Sequence, residues 1–507
     1  MYEMLLGDGG IERAINGFVW GPIMLALLVG FGYIMTFWSK GLQFRKLGFV
    51  FKRTLGNALK GDSQEKDGNN ITPFQAMATA LASTIGTGNI VGIATAIVMG
   101  GPGAIFWMWI AAAGGMMTKY SEITLALKYR EKNEAGMYTG GPMYYLKNGL
   151  GSRAGWQGTL GKILAVLFSL FAAIACFGIG NLTQGNSIAS SLNDTFGVPT
   201  NITGIVLAIL VALVIVGGIN GIAKVTEKLV PFMAVFYLVF AVIVLIINIT
   251  DIPHALYSIF VGAFSPEAVG GGAMGVTIGA AIKYGIARGV FANEAGLGSA
   301  PIAHASSSTK DPVEQGLWGI FEVFTVSFLI CTMTALVILT SFDANGQPMW
   351  QSGLDGAPLS LACFGMALPW FNLGNIVVTL GIIMFALSTL LGWSFYGETA
   401  INFLFRNTSA GTRRILTIAY RCLYVIIVYV GCVGGLHVIW NVSDTFNGLM
   451  ALPNLIGLFF MSGIVIKETK RYFKNIEAGV PTLTGADGNY TAEDIASTAP
   501  KDYSKKK

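Results

Sequence analysis

Charged residues are scarce in this sequence. Asp, Glu, Lys and Arg make up only 12% of its 507 residues, against roughly 25% in a typical soluble domain. Hydrophobic residues make up 53%, and several apolar stretches reach the roughly 20 residues that a spanning helix needs. The sequence therefore predicts an all-α polytopic membrane protein. The net charge of +5 lies in loops and tail, where it orients the spans and does not indicate nucleic-acid binding.

Cysteine and histidine are also scarce. The five cysteines have no paired spacing, and most lie in apolar runs, where cysteine behaves as a small hydrophobe. The three histidines (His254, His304 and His437) form no ligand pair and no nucleophile–base set. This pattern argues against a membrane enzyme with or without a metal. The first 17 residues lack the layout of a signal peptide.

Apolar runs predict about 11 transmembrane helices. A basic amphipathic piece at 47–59 is expected to lie on the inner membrane surface, and the polar tail from Glu477 is expected to be disordered. The predicted spans are a leading helix at about 17–38, a broken span at about 73–85 and 90–100, and spans at about 103–129, 161–190, 201–218, 226–249, 271–298, 315–341, 371–402, 413–433 and 446–467.

Basic residues lie on one side of these spans. Lys and Arg concentrate in loops 39–71 and 128–162 and in later loops of the same parity, and Arg13 is the exception. The positive-inside rule therefore predicts an outside N-terminus and a cytoplasmic C-terminus. The opposite loops without Lys or Arg lie near 191–200, 250–270, 342–370 and 434–445.

The broken span is the most informative stretch. Its middle reads Ser83-Thr84-Ile85-Gly86-Thr87-Gly88-Asn89, and each glycine disfavours a helix by about 1 kcal/mol. Unwound backbone at membrane depth is tolerated where it is buried in protein or lines a cavity. Its free carbonyls suit a small cation, and its free N–H groups suit a carboxylate. The alternative is a continuous, glycine-flexed span that packs tightly.

A second glycine-rich span, 271–298, follows five spans later and enters from the other side. Two interrupted spans in matching positions indicate an inverted repeat with a transporter site between its halves. We expect the second break near Tyr284–Gly289; the alternative is that these glycines only permit close packing. The expected division is a leading helix and linker at 1–72, repeats at 73–250 and 251–470, and a tail at 471–507.

Four motifs resemble the sodium:alanine/glycine symporter family. They are GGPGAIFWMWIAAAGG (Gly100–Gly115), GGPMYY (Gly140–Tyr145), GVFANEAGLGSAP (Gly289–Pro301) and GTGN (Gly86–Asn89). The resemblance covers nearly the whole chain apart from its tail. It implies the LeuT-type fold of two inverted five-helix repeats plus one N-terminal helix, and cotransport of a small neutral amino acid with sodium.

The substrate site is expected at the two breaks. Backbone N–H groups of the first break suit the carboxylate of an amino acid. The backbone carbonyls around Ser83–Ile85 and in the second break suit its ammonium group, and Asn293 and Gln184 could add side-chain oxygens. Gln184 has the alternative of an inter-helix hydrogen bond, and Trp393, expected to limit pocket size, has the alternative of simple core packing. The candidate substrate contacts are Thr87, Gly88, Asn89, Gln184, Gly285, Asn293, Thr389 and Trp393.

A sodium site is expected between the first break and span 371–402, where the LeuT-type fold usually holds one. Ser388 and Thr389 are adjacent hydroxyls in an apolar helix, and hard cations prefer oxygen ligands. The carbonyls of Ala82, Ile85 and Phe385 would complete the set. The alternative is that both hydroxyls bond back to their own helix.

Three acidic residues, Glu122, Glu294 and Glu398, lie near or within spans. We expect gating or structural ion pairs there, with Arg288 as a partner for one of them; binding of sodium or a proton is the alternative. The FWMW run at 106–109 is expected to pack rather than to contact a ligand.

These expectations converge on a secondary active symporter of the cytoplasmic (inner) membrane that imports alanine or glycine with sodium. Alternatives are transport of glutamine or another neutral amino acid, coupling to protons, and an amino-acid-sensing receptor. A receptor needs a folded signalling domain, and the tail after Glu477 is short and polar. The expected partners are the substrate, sodium and membrane lipid. A monomer suffices for this interpretation, and the sequence leaves the oligomeric state open.

Overall fold

The structure is a computed structural model that describes residues 11–60, 70–265, 277–434 and 437–479. These ranges form a helical bundle, as the composition predicts. The strands within them are β1 (Glu131–Lys132) and β2 (Tyr138–Thr139), which pair antiparallel in a hairpin.

The helices are numbered in chain order. In the first part of the chain they are α1 (Ile11–Val19), α2 (Pro22–Trp38), α3 (Leu42–Arg45), α4 (Leu47–Phe51), α5 (Asn57–Leu59), α6 (Pro73–Thr84), α7 (Val91–Gly100), α8 (Ala104–Lys128), α9 (Pro142–Tyr145), α10 (Trp156–Phe177), α11 (Thr183–Phe196), α12 (Thr200–Ile215), α13 (Gly218–Ile247) and α14 (Ile252–Gly262). In the second part they are α15 (Ile278–Asn293), α16 (Ala300–His304), α17 (Pro312–Val323), α18 (Thr332–Leu339), α19 (Gly356–Ala367), α20 (Leu373–Leu404), α21 (Ala410–Val433) and α22 (His437–Glu477).

Wider helical turns join several of these helices without a break in the rod. π-helical turns at Lys52–Gly56, Gly178–Leu182 and Phe324–Cys331 connect α4 to α5, α10 to α11 and α17 to α18. A further π turn, Leu146–Leu150, follows α9. Within the described ranges, seven helical stretches are long and apolar enough to cross a membrane. Each predicted span has a helical counterpart, and the total of about 11 crossings stays a prediction.

The first interruption lies where the sequence predicts it. Helix α6 begins with a capping box, in which the Thr72 hydroxyl accepts from Gln75 N and the Gln75 side chain accepts from Thr72 N. It ends at Thr84. Gly86 is extended (φ −113°, ψ −165°), and a 3₁₀ turn at Thr87–Asn89 leads into α7. The prediction of two half-helices is confirmed.

The second interruption lies elsewhere, and the break predicted near Tyr284–Gly289 is wrong. Helix α15 runs continuously through that stretch to Asn293. The break follows, with left-handed backbone at Glu294 (φ 56°), Gly296 (φ 95°) and Gly298 (φ 79°). Gly285 instead provides close packing, since a Cβ there would lie 2.3 Å from the Ala104 carbonyl oxygen. Residues 271–276 of this predicted span lie outside the described residues.

Two groups of helices position the interruptions. In one, α8 packs against α15 and α17, and α6 packs against α16. In the other, α10 and α11 pack against α20, and α12 packs against α21. Helix α20 also contacts α6, so the first interruption lies where the two groups meet.

The loops and ends differ from the predictions in detail. Helix α22 extends to Glu477, ten residues past the predicted span end at 467; the tail beyond residue 479, expected to be disordered, lies outside the described residues. Helices α14 and α19 occupy stretches expected to be loops. The Phe106 ring of the FWMW run packs edge-on against Phe260 and Phe264, at 5.9 and 5.2 Å between centroids, as expected of a packing residue.

Candidate functional site

Oxygen atoms converge where α20 crosses the end of α6. Ser388 Oγ donates to the Ala82 carbonyl at 3.0 Å and to the Phe385 carbonyl at 2.8 Å. Thr389 Oγ1 contacts the same two carbonyl oxygens at 3.1 and 2.9 Å. Both hydroxyls are buried. The bonds back to α20 and the approach to α6 therefore occur together, and four oxygens lie around one point.

A glycine permits this close crossing. One turn beyond Ser388, a Cβ at Gly392 would lie 1.9 Å from Ser83 Oγ and 3.2 Å from the Thr79 carbonyl oxygen. Any larger residue would push α20 away from α6 and separate the hydroxyls from the Ala82 carbonyl. Gly392 thus allows the helices to approach each other at the interruption, where the Ala82 carbonyl near the end of α6 contacts both hydroxyls.

The oxygen cluster fits a sodium ion. It consists of neutral hydroxyl and carbonyl oxygens, the ligand type that hard cations prefer. Ile85, the fifth predicted ligand, lies directly after α6, and its carbonyl accepts no hydrogen bond within the described part of the chain. The structure thus gathers four of the five predicted ligands, and Ile85 follows the fourth, Ala82, by three residues.

Gly86 faces two other predicted site residues. A Cβ at Gly86 would lie 2.8 Å from Thr389 Oγ1 and 3.6 Å from Gln184 Oε1. Gln184 is buried, and its Nε2 donates to the Ile179 carbonyl at 3.0 Å. Its Oε1 has no hydrogen-bond partner within the described ranges of the chain. Because a buried acceptor without a donor is unfavourable, this oxygen at the interruption is well suited to accept a hydrogen bond from a ligand.

Asn89 holds the first interruption in shape. Its Nδ2 donates to the carbonyls of Thr84 and Gly86 at 3.0 and 3.2 Å, and its Oδ1 accepts from Cys331 Sγ at 3.2 Å. Its backbone N–H donates to the Gly86 carbonyl at 3.2 Å. The N–H groups of Asn89 are thus engaged, whereas those of Thr87 and Gly88 find no acceptor among the described residues.

Phe291 lies against the first interruption, and the sequence reasoning gave it no role. A Cβ at Gly88 would lie 3.0 Å from Phe291 Cδ1, so the ring of this α15 residue lies against the first interruption. Phe291 falls within the family motif at 289–301, yet an aromatic residue in an apolar span gives no signal that separates it from packing.

Trp393 joins α20 to the second interruption. Its Nε1 donates to Glu294 Oε1 at 3.3 Å, and the side chain is 1% exposed. A Cβ at Gly180 would lie 2.3 Å from Trp393 Cβ, so the indole lies against the turn that precedes Gln184. Trp393 therefore lies at the junction of the two helix groups. This position is consistent both with core packing and with a role as a wall of the pocket.

Asn293 and Gly285 differ in position. Asn293 ends α15, where its Nδ2 donates to Ser327 Oγ at 3.0 Å and its Oδ1 accepts from Ala295 N at 3.0 Å. Its side chain thus stabilises the second interruption. Gly285 lies in the middle of α15 against α8, away from the break, so a substrate contact there stays a prediction that the geometry does not favour.

Lys119 bridges both interruptions. This α8 residue is 0% exposed, and its Nζ donates to the Asn293 carbonyl at 3.0 Å and to Thr84 Oγ1 at 3.3 Å. The same Nζ lies 3.0 Å from Glu322 Oε2. One ammonium group therefore ties the end of α6 to the end of α15, which are the two helices whose ends form the site.

A buried polar chain continues from Lys119. The other Glu322 oxygen lies 2.7 Å from His304 Nε2, and His304 Nδ1 lies 2.8 Å from Gln315 Nε2. Gln315 Nε2 also donates to the Pro73 carbonyl at 3.3 Å. The chain thus runs from the interruptions to the first residue of α6. The sequence reasoning missed Lys119, although the signal that identified Glu122, a charge within an apolar span, is present three residues earlier.

The predicted role of Arg288 is wrong. Its guanidinium lies over the Phe291 ring at 5.7 Å and pairs with none of the three acids, all of which lie within the described residues. Glu398 instead pairs with Arg421, with Nε–Oε2 at 2.7 Å and Nη2–Oε1 at 2.8 Å. Glu122 accepts from Gly298 N at 3.1 Å and from Asn454 Nδ2. It therefore stabilises the second interruption.

Comparison with known sequences gives one family over nearly the whole chain. The sequence model of the "Sodium:alanine symporter family" matches residues 10–484. The Sodium/alanine symporter AgcS of Methanococcus maripaludis is 46% identical over 466 residues, which cover 91% of this chain and 96% of that protein. The Probable sodium/glutamine symporter GlnT of Bacillus subtilis is 38% identical and covers 92% of this chain and 90% of its own.

Comparison with solved structures supports the fold. A Na⁺-coupled sialic acid symporter, in a substrate-bound outward-open state, superposes with a TM-score of 0.50 over 90% of both chains at 13% sequence identity. At this identity the likeness shows the fold alone. Together with the helical content, it shows the LeuT-type architecture that the resemblance implies.

Proposed function

We propose that this chain, which belongs to the sodium:alanine symporter family, imports alanine or glycine with sodium across the cytoplasmic membrane. The family and the relatives are transporters, so the chain is a multi-pass membrane symporter and not an enzyme. Alanine as substrate is inferred from the Methanococcus maripaludis relative, which is a sodium/alanine symporter by name. Glycine draws on its smaller side chain, which a site for alanine can accommodate.

The oxygen cluster at the α6–α20 crossing carries the proposal. Ala82, Ile85, Phe385, Ser388 and Thr389 would hold sodium, which when bound supplies a positive charge between the two helices. The residues on α6 and α20 belong to different helix groups. Cross-linking them through shared oxygen ligands would stabilise one arrangement of the groups, and this is how a sodium gradient can bias a conformational equilibrium.

The charges of an amino acid would place the substrate beside this cluster. The N–H groups of Thr87 and Gly88 would donate to the carboxylate, and Gln184 Oε1 would accept from the ammonium group, since none of the three has a partner among the residues that the structure describes. Thr389 lies between them, because its hydroxyl is close to Gly86. The methyl side chain of alanine would then point towards Phe291 and Trp393, with Asn89 and Asn293 maintaining the two interruptions.

Transport would follow from movement between the helix groups. The group of α6, α8, α15 and α17 would rock against the group of α10, α12, α20 and α21, which exposes the site to each side in turn. The repeats would be 73–250 and 251–470. We place the N-terminus outside and the C-terminus in the cytoplasm, from the positive-inside rule. A monomer suffices for this mechanism.

Uptake into proteoliposomes tests the proposal. With the purified full chain, an inward sodium gradient should accumulate labelled alanine above its equilibrium level, and a sodium ionophore should abolish the accumulation. Unlabelled glycine should compete, while glutamine, suggested by the Bacillus subtilis relative, should compete less. Accumulation driven by a proton gradient without sodium, or glutamine as the better competitor, would contradict the proposal.

Trp393 is predicted to limit the size of the substrate. Trp393→Ala removes the buried indole that lies between Gly180 and Glu294. We expect alanine affinity to fall and larger neutral amino acids to gain relative to alanine, since each methylene accommodated in a tight apolar pocket changes discrimination by about 1–3 kcal/mol. The measurement is competition of labelled-alanine binding by a size series of neutral amino acids.

A second buried tryptophan provides the matched control. Trp318 on α17 is 3% exposed and packs against Phe74 and Phe321. Trp318→Ala should lower thermal stability and leave the rank order of competitors unchanged. If Trp393→Ala has the same phenotype as this control, Trp393 is a packing residue and the size-limiting wall lies elsewhere.

A further inference from the structure

A cavity separate from the candidate site lies at the end of the bundle that carries the basic loops. Its volume is about 300 Å³, and it is formed where α2 ends, where α3 follows, and by the last turns of α22. It shares no residue with the oxygen cluster or the interruptions. Its lining combines cations with the apolar side chains of Trp38 and Phe473.

The cavity is strongly positive. Its lining contains one carboxylate, Glu477, and none of its cations forms an ion pair with another described residue. Glu468, on the same helix, is already paired, with Lys128 at 2.7 Å and Arg471 at 3.0 Å. The lining cations are Lys40, Arg45, Lys46, Lys470 and Lys474. This concentration of positive charge favours binding of an anion.

The backbone holds part of this set in place. Lys40 has a left-handed conformation (φ 56°) followed by Gly41 (φ 67°), and Gly41 N donates to the Thr36 carbonyl at 2.7 Å. Arg45 Nη1 donates to the Lys40 carbonyl at 3.3 Å. A left-handed non-glycine residue is unfavourable unless its surroundings enforce it. This tight turn therefore fixes where the chain reverses beside the cavity.

The surface beside the cavity is apolar. Phe37 is 81% exposed, Phe44 55% and Trp38 49%, and all three lie next to the lining cations in the chain. Tryptophan is enriched at the boundary between hydrocarbon and headgroups, so Trp38 is suited to that depth, and the exposed rings of Phe37 and Phe44 are suited to contact hydrocarbon. Lys46 Nζ lies 5.6 Å from the centre of the Phe473 ring, so one lining cation lies directly against an apolar wall.

We propose that this cavity binds the phosphodiester headgroup of an anionic phospholipid, whose acyl chains lie along the apolar surface of Phe37 and Phe44. Basic pockets between helices at the cytoplasmic face are typical sites for anionic lipid headgroups. A free phosphate would satisfy the cations and leave the exposed aromatic side chains without a role. The combination of charge and apolar surface therefore favours the lipid over the soluble anion.

Lipid titration tests the proposal. The purified full chain in neutral detergent is titrated with short-chain phosphatidylglycerol or phosphatidylcholine, and binding is followed by native mass spectrometry and by the shift in melting temperature. We expect saturable binding and stabilisation by phosphatidylglycerol alone. Equal effects of both lipids would overturn the proposal. Inorganic phosphate or glycerol phosphate as effective as phosphatidylglycerol would also overturn it, because the ligand would then be a soluble anion.

Charge-neutralising variants locate the site. Lys470→Gln/Lys474→Gln removes two exposed cations from the last turns of α22. The expected affinity loss is about 30-fold, from about 1 kcal/mol for each basic residue at the surface and 1.4 kcal/mol per tenfold. Lys224→Gln/Lys228→Gln, at two exposed positions on α13, removes the same charge elsewhere and should retain the affinity. Lys46→Gln provides a second cavity variant. Retained affinity in both cavity variants would show that the lipid binds elsewhere.

Discussion

Replacing Lys119 by methionine should abolish transport. The substitution keeps the length and apolar stem of the side chain but removes the ammonium group that contacts Thr84, Asn293 and Glu322. The ends of α6 and α15 then lose their shared donor, and both interruptions lose one of their constraints. We expect uptake of labelled alanine at the level of empty liposomes.

The same change should lower stability. Glu322 is 0% exposed, and in the variant its remaining close partner is the His304 ring, with Nε2 at 2.7 Å. Removing one partner of a buried ion pair costs about 3–5 kcal/mol, because the other charge stays buried without compensation. Thermal unfolding of the purified variant measures this loss, and the fall in melting temperature should accompany the loss of uptake.

A double variant separates the two effects. Lys119→Met/Glu322→Met removes both charges, and an apolar replacement of a buried pair is often neutral in stability. We expect the melting temperature to recover while transport remains absent, because the bridge between the interruptions is still missing. Recovery of transport in the double variant would contradict a bridging role and leave Lys119 as the counter-charge of Glu322 alone.

Lys128 on the same helix is the matched control. It pairs with Glu468 at 2.7 Å, with a quarter of its side chain exposed. Exposed pairs contribute about 0–1 kcal/mol, so Lys128→Met should change stability little and retain uptake. If it abolishes uptake as completely as Lys119→Met, the loss reflects any change of charge on α8 and does not identify the bridge.

The first interruption could be predicted because its signal is local. Gly86 and Gly88, with hydroxyl and amide side chains around them, are poor helix formers whatever surrounds them. The second interruption was misplaced because its signal is not local. In the sequence, Gly285 and Gly289 cannot be distinguished from Gly296 and Gly298. In the structure, α8 packs against the first pair, whereas the backbone turns at the second pair. The left-handed conformation of Glu294 has no sequence signature.

The site was predicted in part for the same reason. Ser388 and Thr389 were found because two adjacent hydroxyls stand out in an apolar helix, and the expected fold supplied their position. The distance between Lys119 and Glu322, 203 positions apart in the chain, depends on how α8 packs against α17. Pattern and composition carry no information on such a pairing. Charge alone suggests an acidic partner for Arg288, but in the structure its guanidinium lies over the Phe291 ring.

Ser388→Ala/Thr389→Ala should impair sodium activation severely. Two of the four converging oxygens are side-chain hydroxyls, and alanine removes both while leaving the Ala82 and Phe385 carbonyls. If each hydroxyl contributes about 1.4 kcal/mol to sodium binding, the sodium concentration for half-maximal uptake rises about tenfold for each. Initial uptake rates at increasing sodium and saturating alanine measure the shift, and the single variants should each show part of it.

The control lies on the same helix. Ser394 is buried like Ser388, but its hydroxyl donates at 2.6 Å to the carbonyl of Leu391, within α20 itself. Ser394→Ala should therefore leave sodium activation unchanged. The double variant also removes hydroxyl contacts to α6. If these contacts only pack the helices, the variant should have a lower melting temperature, and its uptake rate should fall by the same factor at every sodium concentration. Only an ion-binding role predicts that high sodium restores the rate. A half-maximal concentration that stays at the wild-type value would place sodium away from the α6–α20 crossing.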